Sequence, residues 1–396
     1  MPALSFLDAR TTVLKEVRAA GIVPAIETVC LEDSAGRILA EDIAADRDYP
    51  PFNRSVRDGF AVRSADMPGR VRVIGEVRAG ERFERRVRAG EAVEIMTGAP
   101  VPDGADAVVM VEHCIRHDDG SIETDREAPA GSNIARAGCE ARAGVAVLPR
   151  GNRIDYAGVA WLATTGHSNV RVYVRPRVAV IATGDEIVAV AETPALHQIR
   201  NSNAYSLAAQ IRRAGGEPVV LPVAKDAKDA TVECIRRGLD ADMLLLSGGV
   251  SAGKYDFVEA ALEECGARFF FDRVLIQPGQ PVVFGAARGK FFFGLPGNPA
   301  STMVTFELFA RAALELLGGA NEAPLPLTLA KLSRAFHHRP GLTRFLPAEV
   351  SCTEVTPVVW QGSGDVPSIC RANAFLVADP NRAEYAAGDL IPVLLK

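Results

Sequence analysis

Ser247 to Tyr255 reads S-G-G-V-S-A-G-K-Y, directly after the apolar run Met243 to Leu246 and ahead of a helical pattern. A run fit for a buried strand, a glycine-rich turn and the opening of a helix make the layout of a phosphate-binding loop. Gly248, Gly249 and Gly253 permit positive φ and let several backbone N–H groups converge on one anion, and the following helix adds its positive dipole end. Most of the G-x-x-x-x-G-K-[ST] pattern of nucleoside-triphosphate loops is satisfied, but Tyr255 stands where that loop needs a hydroxyl on Mg²⁺. The expected chemistry is phosphate binding of another kind.

Three further segments have the same character: Thr183-Gly184-Asp185-Glu186, Asn201-Ser202-Asn203 and Leu295-Pro296-Gly297-Asn298-Pro299. Each concentrates Gly, Asn, Ser or acid beside an apolar run, so together they describe one polar pocket. The acids Glu186, Asp226 and Asp256 fall in or near these segments. Mg²⁺ reconciles carboxylates with a phosphate loop, because it takes oxygen ligands and bridges carboxylate to phosphate; for Asp256 a helix N-cap is the competing role. Two distant segments are also unusually polar. Phe52 to Val62 places Asp58 before Gly59 in an expected exposed turn, and Ile95 to Val109 places Thr97-Gly98 directly after an expected strand. His113 and His117 have i, i+4 spacing but fall in a strand-then-turn pattern, and His337-His338 read as solvated, so no zinc site is assigned.

The elements that must position these residues follow from periodicity. From Arg177 onward strands alternate with helices. Val178 to Ala182, Val219 to Val223, Met243 to Leu246, Phe269 to Phe271 and Phe291 to Gly294 read as strands. Asn203 to Ala214, Ala230 to Gly238, Phe257 to Cys265 and Ala300 to Leu317 read as helices. This predicts a mostly parallel sheet covered on both faces, with its ligand at the carboxyl ends of the strands, which puts the four polar segments on one rim. Residues 1–45 and roughly 141–175 are helical in pattern, with a short helix expected from Asp155 to Thr165. Between them, Val71 to Val77, Val93 to Met96 and Ala107 to Val111 alternate with Gly and Pro turns, which reads as an inserted all-β module. After Gly318-Gly319 and the linker Ala323 to Pro326 the chain returns to short β runs. The expected partition is 1–46 with 141–175, 47–140, 176–321 and 322–396.

The chain has 396 residues, of which 48% are apolar, and a net charge of −5, with a pI near 5.8. It is long enough for several domains, and its charge disfavours a broad nucleic-acid footprint while allowing a local pocket for a small anion. Met1 to Gly21 reads as a capped amphipathic helix, with Ser5 and Asp8 in capping-box register and Phe6, Val13, Leu14 and Val17 as its stripe, and not as a signal peptide. No apolar stretch approaches the roughly 20 residues that span a bilayer, so a cytoplasmic protein is expected. The seven cysteines are scattered with no C-x-x-C, which suits a reducing compartment and free, mostly buried thiols.

In this order, these segments resemble those of the molybdenum-cofactor insertion enzymes, the family of bacterial MoeA and the E domain of gephyrin. The carriers are Ser55 to Val62 (S-x-x-D-G-[YF]-A-V), Thr97 to Pro102 (TGAPVP), Thr183 to Glu186 (TGDE), Asn201 to Asn203 (NSN), Ser247 to Ser251 (SGGVS) with Asp256, and Leu295 to Pro299 (LPGNP). The resemblance covers essentially the whole chain. It implies a multidomain α/β plus β protein: a central, mostly parallel three-layer α/β domain of the MoaB/MogA kind, an inserted small β domain, a helical N-terminal linker domain and a C-terminal β domain. It implies a homodimer in which the α/β domain of one subunit faces the β insertion of the other. The implied substrates are adenylylated molybdopterin and molybdate; the enzyme class cleaves the phosphoanhydride with a divalent cation, releases AMP and places the metal on the dithiolene.

Carried over by motif, Asp58, Thr97, Glu186, Asp226 and Asp256 form the catalytic polar set, the last three as Mg²⁺ ligands. Thr183, Gly184, Asn201, Ser202, Asn203, Ser247, Gly248, Gly249, Ser251, Pro296, Gly297, Asn298 and Ser368 would hold the pterin nucleotide. The implied protein partners are a molybdopterin adenylyltransferase and recipient molybdoenzymes or their chaperones; no nucleic acid or membrane is implied. Three departures fall on the family's cationic oxyanion site. Gln277 and Gln280 stand in Q-P-G-Q-P where lysines are common, Leu342 and Pro347 replace arginines on either side of Arg344, and Glu140 replaces an Asp. Arg344, Arg371 and Ser368 are candidate replacements. Those departures keep two alternatives open, a non-catalytic pterin carrier or scaffold and a nucleotide pyrophosphatase sharing only the α/β domain.

Overall fold

Ser5 starts the first helix, α1 (Phe6–Ala19), by accepting the Asp8 N–H on its hydroxyl. In a computed structural model, which describes residues 1–225, 227–249 and 258–396, Phe6, Ala9, Val13 and Val17 of this helix are buried. They join a core that includes Leu308, Phe309 and Leu317. Arg10, also on the buried side, donates to the carbonyls of Leu308 (2.7 Å) and Ala323.

The chain forms two compact units. One comprises Met1–Ala40, Gly151–Val159 and Asn169–Lys396, and the other Glu41–Arg150 and Ala160–Ser168. The helical pattern expected for residues 1–45 and 141–175 is realised only in α1 and in α2 (Tyr156–Thr164), so the linker is helical only in part. Gly21 ends the first helical run with φ +59°. Beyond it the β-branched alternation of Ile26–Cys30 finds an antiparallel partner in Asn169–Tyr173, a distant pairing that local periodicity does not show.

The second unit carries a six-stranded sheet in the order Ala107–Met110, Gly59–Val62, Glu91–Ile95, Gly69–Val77, Ser121–Thr124, Ile115–Arg116. Phe60 and Val62 face one core cluster while Ala61, Val93 and Ile95 face another, so both faces are covered. Gly59 is fixed by packing. A Cβ there would lie 1.9 Å from the carbonyl oxygen of Val109 on the neighbouring strand.

In the first unit the central sheet runs Glu217–Val220, Arg177–Ala182, Met243–Ser247, Lys290–Leu295, Val283–Ala287, Arg268–Phe271. The first four strands are parallel. Alternate residues serve opposite layers. Val178, Val180, Leu245 and Phe293 pack with α1, α3 (Ser202–Ala214) and the helical run Pro299–Leu317, whereas Ala179, Ile181, Leu244 and Leu246 pack with α4 (Lys228–Gly238) and α5 (Val258–Glu264). The run Pro299–Leu317 consists of α6 (Pro299–Thr305), one π-helical turn, and α7 (Arg311–Leu317). One strand was not expected. Val283–Ala287 is antiparallel and joined to Lys290–Leu295 by Arg288-Gly289, both at positive φ, the geometry of a two-residue hairpin turn. The strand expected at Val219 to Val223 lies earlier, at Glu217–Val220.

The C-terminal strands Leu327–Leu332, Thr343–Ser351, Glu354–Pro357, Ala374–Ala378 and Leu390–Leu395 close on themselves. Thr343–Ser351 pairs with both Glu354–Pro357 and Ala374–Ala378, and Leu327–Leu332 and Leu390–Leu395 complete the ring. Closure leaves no open edge on these five strands. Helix α8 (Val366–Arg371) sits between two of them. His338 corrects an expectation of solvation: it is buried beside Phe336 and Tyr385 at ring separations of 6.0 and 5.9 Å, because Glu384–Tyr385 pairs with Phe336–His337. The thiols correct another. Cys30, Cys139, Cys352 and Cys370 are exposed and only Cys265 is fully buried, since most sit in turns or at element ends. Among the described residues no helix is long and apolar enough to cross a membrane.

Candidate functional site

Three neighbouring parallel strands end level with one another. Ala182 pairs with Ser247 and Ser247 with Leu295, so Thr183-Gly184, Gly248-Gly249 and Pro296-Gly297 emerge side by side at the carboxyl edge of the sheet. The ladder continues one residue into the turns: Thr183 N–H donates to Ser247 O and Gly248 N–H to Leu295 O, both at 3.1 Å. The Gly248 N–H therefore belongs to the sheet. At Gly248, space as well as φ requires a glycine. At Gly248 (φ +93°) a Cβ would meet Thr183 O at 2.9 Å, and a Cβ on Gly297 would stand 3.5 Å from Gly248 Cα.

Helix α3 supplies the fourth segment. Asn201 is its N-cap, accepting Ala204 N–H on Oδ1 at 3.1 Å, which leaves the Nδ2 hydrogens of Asn201 for other acceptors. Ser202 is exposed in the first turn. Asn203 is buried and donates from Nδ2 to Ser247 Oγ (2.8 Å) and to Gly297 O (2.7 Å). Among the described residues, two buried polar atoms of the rim, Thr183 Oγ1 and Asn203 Oδ1, have no hydrogen-bond partner. Asn298 caps α6 without a side-chain bond and is exposed. Thr302, which the sequence reading missed, is fully buried and donates to Pro296 O, holding the third turn from below. Ser363 was missed as well; its carbonyl accepts Ala300 N–H at 2.9 Å, joining the loop before α8 to the start of α6. A hydroxyl three residues after Pro299 was a usable signal for Thr302. Ser363 had none.

Comparison with known proteins decides the family. Residues 4–166 match the MoeA N-terminal region (domain I and II), 179–316 a probable molybdopterin binding domain, and 329–396 the MoeA C-terminal region (domain IV). The molybdopterin molybdenumtransferase of Bacillus subtilis is 38% identical over 387 residues, covering 93% of this chain and 89% of that one. This chain belongs to the MoeA family. A Staphylococcus aureus molybdopterin molybdenumtransferase is 35% identical over 385 residues, covering 94% and 91%. The crystal structure of the molybdopterin biosynthesis moeA protein from Pyrococcus horikoshii OT3 superposes over 100% of both chains with a TM-score of 0.80 at 28% identity. A second Pyrococcus moeA structure gives 0.74 at 32% identity.

Within this MoeA-family chain the remaining candidate residues divide. Asp226, Ser251 and Asp256 lie outside the described residues. Glu186 is exposed at the rim and its carboxylate folds back over Gly184, where a Cβ would come within 2.6 Å of Oε2. Among the described residues no three His, Cys, Asp or Glu side chains form a metal cage. Asp58 and Thr97 belong to the second unit and form a pair there: Asp58 Oδ1 accepts the Thr97 N–H (2.6 Å) and hydroxyl (2.9 Å). Those two donors, the backbone one first, hold the Asp58 carboxyl below its ordinary range. Ser368 is fully buried, and its hydroxyl donates to Val359 O (3.0 Å) or Asp365 and accepts from Arg371, so it is engaged within the barrel. On the expected oxyanion side, Gln277 lies in a two-residue parallel ladder opposite Arg344, whose Nε is buried with no partner among the described residues. Gln280 is exposed.

Proposed function

We propose that this protein is a molybdopterin molybdenumtransferase: it binds a molybdopterin carrying AMP on its phosphate at the rim, places molybdate on the dithiolene and releases AMP. The observation that carries the reading is the alignment of three polar strand ends in a chain whose full-length relatives bear that name. Asn201, with Nδ2 left over from capping, is a neutral donor suited to a phosphate. Glu186 is a hard oxygen ligand at the strand end and, with Asp226 and Asp256, would hold Mg²⁺; when bound, the ion neutralises phosphate charge at the bond that breaks. Gln277 and Arg344 would orient the molybdate.

The reading includes a cytoplasmic homodimer in which Asp58 and Thr97 serve the site of the partner subunit. Mixing Asp58→Ala with Glu186→Gln subunits should then restore up to about half of the activity, since one site of each mixed dimer is intact. A second reading, a non-catalytic pterin carrier, is favoured by the uncharged Gln277 and Gln280. One experiment separates them. Purified protein is incubated with adenylylated molybdopterin, Mg²⁺ and molybdate, and AMP release and reconstitution of an apo-molybdoenzyme are assayed. Both signals support the transferase, tight binding with neither supports the carrier, and turnover of simple dinucleotides without pterin supports a pyrophosphatase.

A further inference from the structure

We infer that Asn203 is a positioning residue: it ties the Ser247-Gly248 turn to the Pro296-Gly297 turn and does not itself hold the substrate phosphate. An asparagine amide has two hydrogens to donate, and both are committed, one to Ser247 Oγ at 2.8 Å and one to Gly297 O at 2.7 Å. The carbonyl acceptor fixes the amide orientation, because Gly297 O can only accept. What remains on Asn203 is Oδ1, a buried acceptor with no partner among the described residues, and a carbonyl oxygen repels a phosphate oxygen. Asn201, two residues earlier, has the opposite polarity: its Oδ1 is used in capping and its Nδ2 is left. The N-S-N turn therefore divides its work, a donor at Asn201 and an internal strut at Asn203.

The strut joins parts that the sheet alone does not hold together. Ser247 and Leu295 end their ladder at the rim. Beyond that point neither Gly248 nor Gly297 carries a side chain to lock the two turns, and a Cβ added to Gly297 would stand only 3.5 Å from Gly248 Cα. Asn203 stands on α3, whose buried residues Leu207 and Ile211 anchor it to the same face of the sheet, so it sets the spacing of both turns from a rigid base.

The test compares Asn203→Ala, Asn203→Asp and Ser247→Ala in the full chain. Its ligand-binding arm rests on the proposed pterin substrate; its ligand-free arm does not. Asp keeps an acceptor oxygen but loses both donors, so a strut role makes Asp at least as harmful as Ala. The expected result is a rise of tenfold or more in KM and in the Kd for molybdopterin for both Asn203 variants, with kcat changed much less, the pattern of lost uniform binding. Ser247→Ala, which breaks one leg only, should cost less, and the double variant with Asn203→Ala should be no worse than Asn203→Ala alone. Without ligand, amide exchange at Gly248, Gly297 and Asn298 should accelerate tenfold or more while the C-terminal barrel is unchanged. An Asp variant that binds pterin within twofold of wild type would overturn the inference in favour of direct contact through Oδ1. Unchanged exchange at the two turns would overturn it outright. Accelerated exchange in a protein that binds no molybdopterin would uphold the strut and refute the proposed substrate.

Discussion

Replacing Gly248 by Ala isolates what the rim requires of its backbone. Gly248 has φ +93°, and a Cβ there would stand 2.9 Å from Thr183 O and 3.0 Å from Thr183 Oγ1. Gly266 is a matched control: its φ is +79° and a Cβ would meet nothing within 4 Å. An alanine held at positive φ costs about 1–2 kcal/mol at either site. At Gly248 the contact adds to this, because its nearest atom is backbone on an adjacent, laddered strand and cannot rotate away. A combined cost of about 2–4 kcal/mol follows, relieved in part by displacement of the turn. That displacement is the functional consequence, since 1.4 kcal/mol of lost contact is about a tenfold change in affinity. Urea denaturation and molybdopterin binding should therefore separate the variants: Gly266→Ala loses about 1–2 kcal/mol of stability and no affinity, whereas Gly248→Ala loses more stability and at least tenfold in affinity. If the two variants behave alike in both assays, the close approach of Thr183 to the Gly248 turn has no bearing on binding.

Four further outcomes are expected. Asp58, whose carboxyl is held below its ordinary range by Thr97, contributes stability that is present above the unfolded pKa and is lost as pH falls through the depressed folded value. Asp58→Asn should flatten that acid limb in pH-dependent unfolding, while Thr97→Val, which keeps the stronger backbone donor, should flatten it only in part. Arg10→Met leaves the carbonyls of Leu308 and Ala323 without their donor, at about 1–3 kcal/mol each; a loss under about 0.5 kcal/mol in urea titration would show that water replaces the guanidinium. Glu186→Gln should slow AMP release markedly with the fold intact, and near-wild-type turnover in saturating Mg²⁺ would remove it from the metal set. Gln277→Lys with Gln280→Lys should lower the molybdate concentration for half-maximal insertion about tenfold and make it more salt-sensitive, as a charge-assisted contact worth roughly 1.4 kcal/mol gives; an unchanged molybdate dependence would place the anion elsewhere.

The α/β core was legible because its signal is local. Met243 to Leu246 and Phe291 to Gly294 are continuous apolar runs bounded by glycine, and such runs are buried parallel strands in almost any context that alternates them with helices. The polar rim followed from the same signal, since a strand end fixes where its next residues emerge. What stayed hidden depends on partners distant in sequence. Ile26–Cys30 becomes a strand only through Asn169–Tyr173, and His338 is buried only because Tyr385 folds onto it. The roles of hydroxyls and amides were equally illegible. Ser368 and Thr302 both look available in sequence and are both committed inside the fold, and nothing in N-S-N says which asparagine keeps its donors.

The two halves of the site consequently differ in kind. The proposed phosphate half would rest on neutral donors whose positions follow from strand register, Thr302 and Asn203. The proposed oxyanion half would depend on a junction, the short ladder that sets Gln277 against Arg344 where the α/β domain meets the barrel. A guanidinium Nε buried without an acceptor costs about 1–3 kcal/mol unless an anion or water meets it. If molybdate binds here as proposed, Arg344 is the cation that would meet it, between Leu342 and Pro347 and opposite Gln277. On that reading Arg344 is the residue on which affinity for molybdate should depend.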